Sequence, residues 1–262
     1  MPKIMISGRG GSGKSTLVTL LARVLGGRGK VLVVDTDESN VGLPGMLRQE
    51  LPAMTLMGCL GGKPAVREKL LASLQKGGGE NPGFFVKNLS LPSLPPECIS
   101  GGDGPIRYLR IGKIEHSMEG CACPMGAVAR SFLKQLVVEQ DEWVIVDTEA
   151  GVEHFGRGVL EGVDVVVMVV DPSHEAILLA DKARMLAAEA KKDFLAVLNK
   201  VDNSTEPFLR RELSARGIPV GGVLNFSAEI MQANLIGDPL EEGALSGQVS
   251  QLMSSLGKFT GQ

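Results

Sequence analysis

Gly8, Gly10, Gly11, Ser12, Gly13, Lys14 and Ser15 fall within eight consecutive residues, Gly-Arg-Gly-Gly-Ser-Gly-Lys-Ser, with the spacing G-x-x-x-x-G-K-S. The chemistry that suits such a run is polyphosphate binding. Backbone N–H groups cradle the anion, so the chain must come close and take up conformations that a Cβ would block. Lys14 can reach the β- and γ-phosphates, and the Ser15 hydroxyl can ligate Mg²⁺. A helix starting near Thr16 would aim its N-terminal N–H groups and positive dipole end at the same anion. Gly8, Gly10 and Gly13 also fit G-x-G-x-x-G, with Asp35 beyond at about dinucleotide-fold distance. A dinucleotide loop has no use for Lys-Ser at that place, so the phosphate-loop reading is the one retained.

Carboxylates follow at the ends of apolar runs. Residues 30–34 read as a buried strand ending in Asp35-Thr36-Asp37, and residues 143–146 as one ending in Asp147-Thr148-Glu149-Ala150-Gly151. In an open parallel sheet, ligands sit beyond the carboxyl ends of strands, which places Asp35, Asp37 and Asp147 towards the phosphate loop. There they can hold the water shell of Mg²⁺ or orient an attacking water. Gly151, four residues after Asp147, suits a sensor of the γ-phosphate. His154 and Arg157 follow as candidate switch residues. A third run, residues 194–198, ends in Asn199-Lys200-Val201-Asp202, the N-K-x-D pattern with which many GTPases read guanine. In relatives an Asn at that place reads adenine, so the pattern leaves the base open.

Sulfur supplies a second chemistry. Of the four cysteines, Cys59, Cys98, Cys121 and Cys123, only the last two are closely spaced. Two thiolates one residue apart can converge on an ion in a turn, but cannot complete the four-coordinate site that a thiophilic metal prefers. A two-fold dimer would bring four sulfurs together. His116 is a further candidate ligand. In a reducing compartment all four cysteines are expected as thiols or ligands rather than disulfides.

The elements that must position these groups alternate strand and helix. Strands are expected at 3–7, 30–34, 106–111, 143–146, 164–171, 194–198 and 219–224, the fifth fully apolar as in the centre of a parallel sheet. Helices are expected at 16–25, 64–76, 125–138, 175–192, 207–216, 228–235 and 245–256. The expected fold is α/β: a single three-layer P-loop NTPase domain over 1–262 with a mostly parallel, doubly wound sheet. Residues 41–110 read as a variable insertion region within it, and 112–126 as the metal-binding loop.

With 262 residues the core is ample. A formal charge of −3 argues against a nucleic-acid partner, and no apolar run approaches a membrane span. The first residues show no charged-then-apolar signal pattern, so the expected location is the cytoplasm. The last helix has a Ser- and Gln-rich polar face rather than a basic one, which favours core packing over membrane docking.

In this order, Gly-Arg-Gly-Gly-Ser-Gly-Lys-Ser, Asp-Thr-Asp, Asp-x-x-x-Gly and Asn-Lys, the chain resembles the dimeric switch ATPases with a deviant phosphate loop. Those include the cell-division positioning and arsenite-pump ATPases. Cys121-Ala-Cys123 after Ile111-Gly-Lys-Ile, and the run from Gly151 to Gly158, resemble within that group the CooC-type nickel-inserting accessory ATPases of carbon monoxide dehydrogenase. The resemblance implies ATP/ADP and Mg²⁺ as cofactors, with Lys14 on the phosphates and Ser15 on Mg²⁺. It implies Asp37 on the attacking water, and Asp147 serving the metal indirectly. It also implies a homodimer with Zn²⁺ or Ni²⁺ held by Cys121 and Cys123 across it. The implied client is a nickel enzyme, carbon monoxide dehydrogenase or acetyl-CoA synthase. Arg9 stands where the family usually has Lys, a residue thought to reach the partner's nucleotide. Arg can make that contact with altered geometry. The rival readings are a positioning or partition switch, a GTP-using metallochaperone and an ATP-dependent amide-forming synthase.

Overall fold

A computed structural model of the chain describes residues 2–75, 82–113, 123–156, 158–241 and 243–257, with the side chains of Cys123 and Ala244 outside the description. The strands are β1 (Lys3–Gly8), β2 (Lys30–Asp35), β3 (Ile99–Ser100), β4 (Ile106–Arg110), β5 (Glu142–Asp147), β6 (Val165–Val170), β7 (Asp193–Val201) and β8 (Val220–Asn225). The helices are α1 (Lys14–Gly26), α2 (Leu43–Leu47), α3 (Leu56–Cys59), α4 (Gly62–Gln75), α5 (Cys123–Gln135), α6 (Glu153–Gly156), α7 (His174–Glu189), α8 (Glu206–Ala215), α9 (Ala228–Ile236) and α10 (Ser246–Gly257). The sheet runs in the order β3-β4-β2-β5-β1-β6-β7-β8. Every pairing is parallel except that of β3 with β4, at the edge.

The strands are apolar on both faces because both faces are covered. Ile4, Ile6, Val31, Val33, Ile145, Val165 and Val167 face α1 and α10, meeting Leu17, Leu21, Val249 and Leu252. The alternate residues Met5, Leu32, Val34, Val144, Val146 and Val166 face the layer holding α5, α7 and α8. This is a three-layer, doubly wound α/β fold, as the strand–helix alternation predicts. Among the described residues no helix is long and apolar enough to cross a membrane.

The region 41–110 joins the main sheet. It supplies β4, paired in parallel with β2, and the antiparallel edge strand β3. Helix α4 forms where the Val66/Leu70/Leu71/Leu74 spacing predicts, yet only Val66 is buried, and Leu71 and Leu74 are exposed. The short elements α2, α3 and β3 were not expected from sequence, although α3 starts at a cap, Thr55, whose side chain accepts from the Gly58 N–H. Leu43, Leu47 and Leu56 anchor α2 and α3 in the core.

One expectation about sulfur is corrected. Cys59 and Cys98 are joined by a disulfide, not left as thiols or ligands. Their neighbourhoods meet through tertiary structure: the Met54 N–H donates to Glu97 O at 2.9 Å, bringing the start of α3 against residues 96–98. Thirty-nine residues separate the two cysteines in sequence, so spacing alone did not pair them.

Candidate functional site

The register of the parallel sheet aligns the chemistry. Asp35 at the end of β2 is paired with Asp147 at the end of β5. Beside β5, β1 ends in Gly8 and turns into the glycine loop. Gly11 and Gly13 have φ of 74° and 98°, in the left-handed region that favours glycine, and a Cβ at Gly13 would collide with Asn199 Nδ2. Helices α7 and α9 are capped by serines, with Ser173 and Ser227 accepting from Ala176 and Ile230 N–H. Helix α1 has no such cap: Gly13 stands there, and its first turn holds no acidic residue. The N-terminal N–H groups and dipole of α1 are left for an anion.

Around this turn lies a cavity of about 620 Å³. Its phosphate end is lined by Gly10, Gly11, Gly13, Lys14, Ser15, Thr16 and Asp37, and Asn199 and Lys200 line it from β7. Asn199 Nδ2 donates to Ser12 O at 2.7 Å and Lys200 Nζ to Gly11 O at 2.7 Å, so the end of β7 braces the glycine loop. Gly8 and Gly151 support the loop from beneath rather than lining it. The Gly151 N–H donates to Gly8 O at 3.1 Å, which ties the segment after Asp147 to the root of the loop.

Behind Ser15 stands Asp147, which is fully buried and does not itself line the cavity. Ser15 Oγ donates to its Oδ2 at 2.8 Å, and Asn40 Nδ2 donates to the same oxygen at 2.9 Å and to Ser15 Oγ at 2.9 Å. Burial, reinforced by the neighbouring Asp35, pushes the Asp147 carboxyl up to about 7, while Ser15 and Lys14 pull the other way. Burial likewise lowers Lys14, with Asp147 and Asp37 opposing. A Mg²⁺–nucleoside triphosphate fits these residues. Asp147 Oδ1 and Ser12 Oγ are buried with no hydrogen-bond partner among the described residues. Lys14 and the open end of α1 offer positive charge beside them. Ser15 would hold the ion directly, Asp147 would hold its water shell, and the bound cation would supply charge neutralisation at the phosphates.

Asp35 lies elsewhere. It is fully buried and does not line the cavity; Tyr108 Oη donates to its Oδ2 at 2.7 Å and Lys113 Nζ at 2.8 Å. Burial raises its carboxyl, and Lys113, Tyr108 and the Asp37 N–H all draw it back down. With both oxygens taken by protein donors, Asp35, expected among the nucleotide-binding residues, instead braces the loop behind them. Arg9 does not face the cavity within its own chain. Its Nε donates to Asp171 Oδ1 at 2.8 Å, and its second nitrogen pairs with the other carboxylate oxygen, at the end of β6. His154 is buried on α6, its ring 4.7 Å from that of Phe155.

Asp202 settles differently from the guanine-reading pattern. Its carboxylate turns into its own loop, where Oδ1 accepts from Ser204 and Thr205, and these bonds hold it well below the usual carboxylate range. It does not line the cavity, whereas Asn199 does.

The far end of the cavity, lined by Asn225, Phe226, Ile230, Met231 and Asn234, was not anticipated from sequence. The rule that ligands sit beyond strand ends applies to β8 as it does to β2 and β5, and would have found it. Lys113 was missed for another reason, since the oxygens it bonds, on Asp35, Asp37 and Asn40, lie more than seventy residues away in sequence. Cys121, His116 and Arg157 lie outside the described residues, as does the side chain of Cys123. Among the described residues no group of three or more His, Cys, Asp or Glu could hold a metal.

Comparison with known proteins agrees with this geometry. Residues 3–240 match the family model of the CobQ/CobB/MinD/ParA nucleotide-binding domain. An uncharacterised ATP-binding protein of Methanocaldococcus jannaschii is 41% identical over 239 residues, covering 91% of this chain and 93% of that protein. The carbon monoxide dehydrogenase accessory protein CooC of Rhodospirillum rubrum is 34% identical over 195 residues, covering 71% of this chain and 69% of that protein. Among solved structures, the septum site-determining protein MinD of Pyrococcus horikoshii, complexed with Mg-ADP, superposes with a TM-score of 0.67. It is 20% identical and covers 99% of this chain and 97% of its own. With its capless α1, its Ser15–Asp147 pair and a match over residues 3–240, the chain belongs to the CobQ/CobB/MinD/ParA family of nucleotide-binding domains and is an ATP-binding ATPase of the MinD/ParA type.

Proposed function

We propose that this ATPase is a dimeric metallochaperone switch that assists nickel insertion into carbon monoxide dehydrogenase or acetyl-CoA synthase. The observation that carries the reading is the likeness to the CooC accessory protein, together with the Cys121-Ala-Cys123 pair. Lys14 holds the phosphates, Ser15 the Mg²⁺, and Asp37, which lines the cavity, orients the attacking water. Gly151 senses the γ-phosphate through the loop it is bonded to, and Asn199 with Lys200 sits at the base side. Arg9 leaves Asp171 to reach the second subunit's nucleotide. Cys121 and Cys123 of two copies form one four-sulfur site whose cargo is Ni²⁺ or Zn²⁺, and nucleotide state changes how the subunits are set against each other. The protein works in the cytoplasm, without nucleic acid or membrane.

Equilibrium titration with Ni²⁺ and Zn²⁺ tests this, run in ADP and in a non-hydrolysable ATP analogue. One ion per two chains is expected, with affinities differing about tenfold between the two states, a coupling of about 1.4 kcal/mol. Cys121→Ser and Cys123→Ser should lose the ion and keep nucleotide, because the phosphate loop uses neither residue. Native stoichiometry in those variants, or equal affinities in both nucleotide states, would sink the reading.

A further inference from the structure

Lys113 follows β4 by three residues, in a stretch whose backbone is clamped from both sides. The Ile111 N–H donates to Asp35 O at 2.9 Å, and the Met57 N–H donates to Ile111 O at 2.9 Å. The ammonium then enters the protein, with a side chain only 9% exposed. A lysine ammonium has three protons to donate, and here three oxygens receive them: Asp35 Oδ2 at 2.8 Å, Asn40 O at 2.6 Å, and Asp37 O. Asp35 completes the arrangement from the other side, since its Oδ1 accepts the Asp37 N–H at 3.0 Å. Residues 37–40 are thus tied by backbone at the Asp37 N–H, the Asp37 carbonyl and the Asn40 carbonyl.

Those same residues carry the side chains that face the phosphates. Asp37 lines the cavity, and Asn40 Nδ2 bonds both Ser15 Oγ and Asp147 Oδ2. A buried ion pair whose work was only to hold the core together would have no need of the loop's carbonyls. Two of the three Lys113 bonds go to them. The ammonium is also a compact point charge with freely turning donors, and three oxygens around one nitrogen cannot be met by the planar fork of an arginine.

We propose that Lys113 is a positioning residue of the ATPase: it sets the backbone of residues 37–40, from which Asp37 and Asn40 meet the nucleotide. The inference rests on the part given to Asp37 above. Misplacement of a reacting group by about 1 Å costs on the order of a hundredfold in rate, with binding far less affected. Lys113→Met should therefore lower kcat about 30- to 100-fold and leave the Kd for a fluorescent ATP analogue within about threefold. Lys113→Arg should not restore kcat.

A double-mutant cycle on the full-length protein tests this. ATP hydrolysis is measured for the native protein, Lys113→Met, Asp37→Ala and the pair. If Lys113 acts through Asp37, the Lys113 substitution costs less than about threefold in the Asp37→Ala background. An equal loss in both backgrounds overturns the inference, as does a native kcat in folded Lys113→Met. Asp37→Ala alone reports separately on the part given to Asp37: a native rate there removes that part, whatever Lys113 does. Should Lys113→Met fail to fold, Lys113→Met with Asp35→Asn removes both buried charges. The same rate loss and the same cycle are then expected from it, and a native kcat in that variant overturns the proposal.

Discussion

Asp35 and Asp147 are the same residue type, at the ends of adjacent parallel strands, paired in register and both fully buried. Their surroundings differ. Around Asp35 each oxygen is met by a donor from the protein: Tyr108 and Lys113 on one, the Asp37 N–H on the other. Around Asp147 one oxygen takes Ser15 and Asn40, and the other has no partner among the described residues. The first carboxylate is closed and organises the loop beside it. The second keeps a buried acceptor unmatched beside Ser15, and burial pushes its carboxyl up to about 7. A buried acceptor left unmatched costs stability. That cost is commonly found where a ligand is to supply the missing partner.

The comparison can be broken most directly at Asp35. Asp35→Asn leaves Lys113 charged and buried without a carboxylate, and removal of one partner of a buried pair costs about 3–5 kcal/mol. Urea unfolding should show a loss of that order, and a native midpoint would show that the pair does not hold this end of β2. At Asp147 the same substitution should have the opposite sign. A carboxyl with its folded pKa above the unfolded value keeps a proton that the unfolded chain has lost. Its contribution is fully present below about pH 4 and declines as pH rises towards about 7, by up to about 4 kcal/mol in all. In chelator, Asp147→Asn should therefore be more stable than the native chain at pH 8 and should lack that share of the decline. Its Mg²⁺-dependent hydrolysis should fall by about a hundredfold or more. An unchanged unfolding profile from pH 4 to 8 would contradict the account of Asp147. The smallest effect is expected at Tyr108→Phe, which removes one of three donors from Asp35 and should cost about 1 kcal/mol, read from the same urea midpoints. A loss as large as that of Asp35→Asn would mean that Tyr108, and not Lys113, holds the carboxylate.

The comparison also marks how far the site could be read in advance. Gly13, Lys14 and Ser15 are legible because phosphate binding needs those types in an unbroken local spacing. Asp37 and Asn199 are legible because each follows an apolar run, and ligands gather at strand ends. The same rule put Asp35 and Asp147 on an equal footing, and it had no means of separating them. Which carboxylate is closed depends on Tyr108 and Lys113, 73 and 78 residues from Asp35 in sequence. Asp202 could not be placed from sequence for a related reason. The Asn-Lys-Val-Asp run is compatible with reading a base, but Ser204 and Thr205 offer its carboxylate nearer partners.

What the sequence determined by itself is what short-range physics controls. The alternation of apolar strands with amphipathic helices leads to a doubly wound sheet, and the glycine loop before α1 leaves that helix end uncapped for phosphate. Ser173 and Ser227 close two of the helices that do not bind it. What only the tertiary structure decided depends on residues distant in the chain arriving at one point. The disulfide between Cys59 and Cys98, the turning of Arg9 onto Asp171, the edge strand β3 and the three oxygens around Lys113 are all of this kind. The physical reason is common to them. A lysine, an arginine or a cysteine reads the same in sequence whether it ends in solvent or in the core, and the sheet register decides which oxygen or sulfur stands within about 3 Å of it.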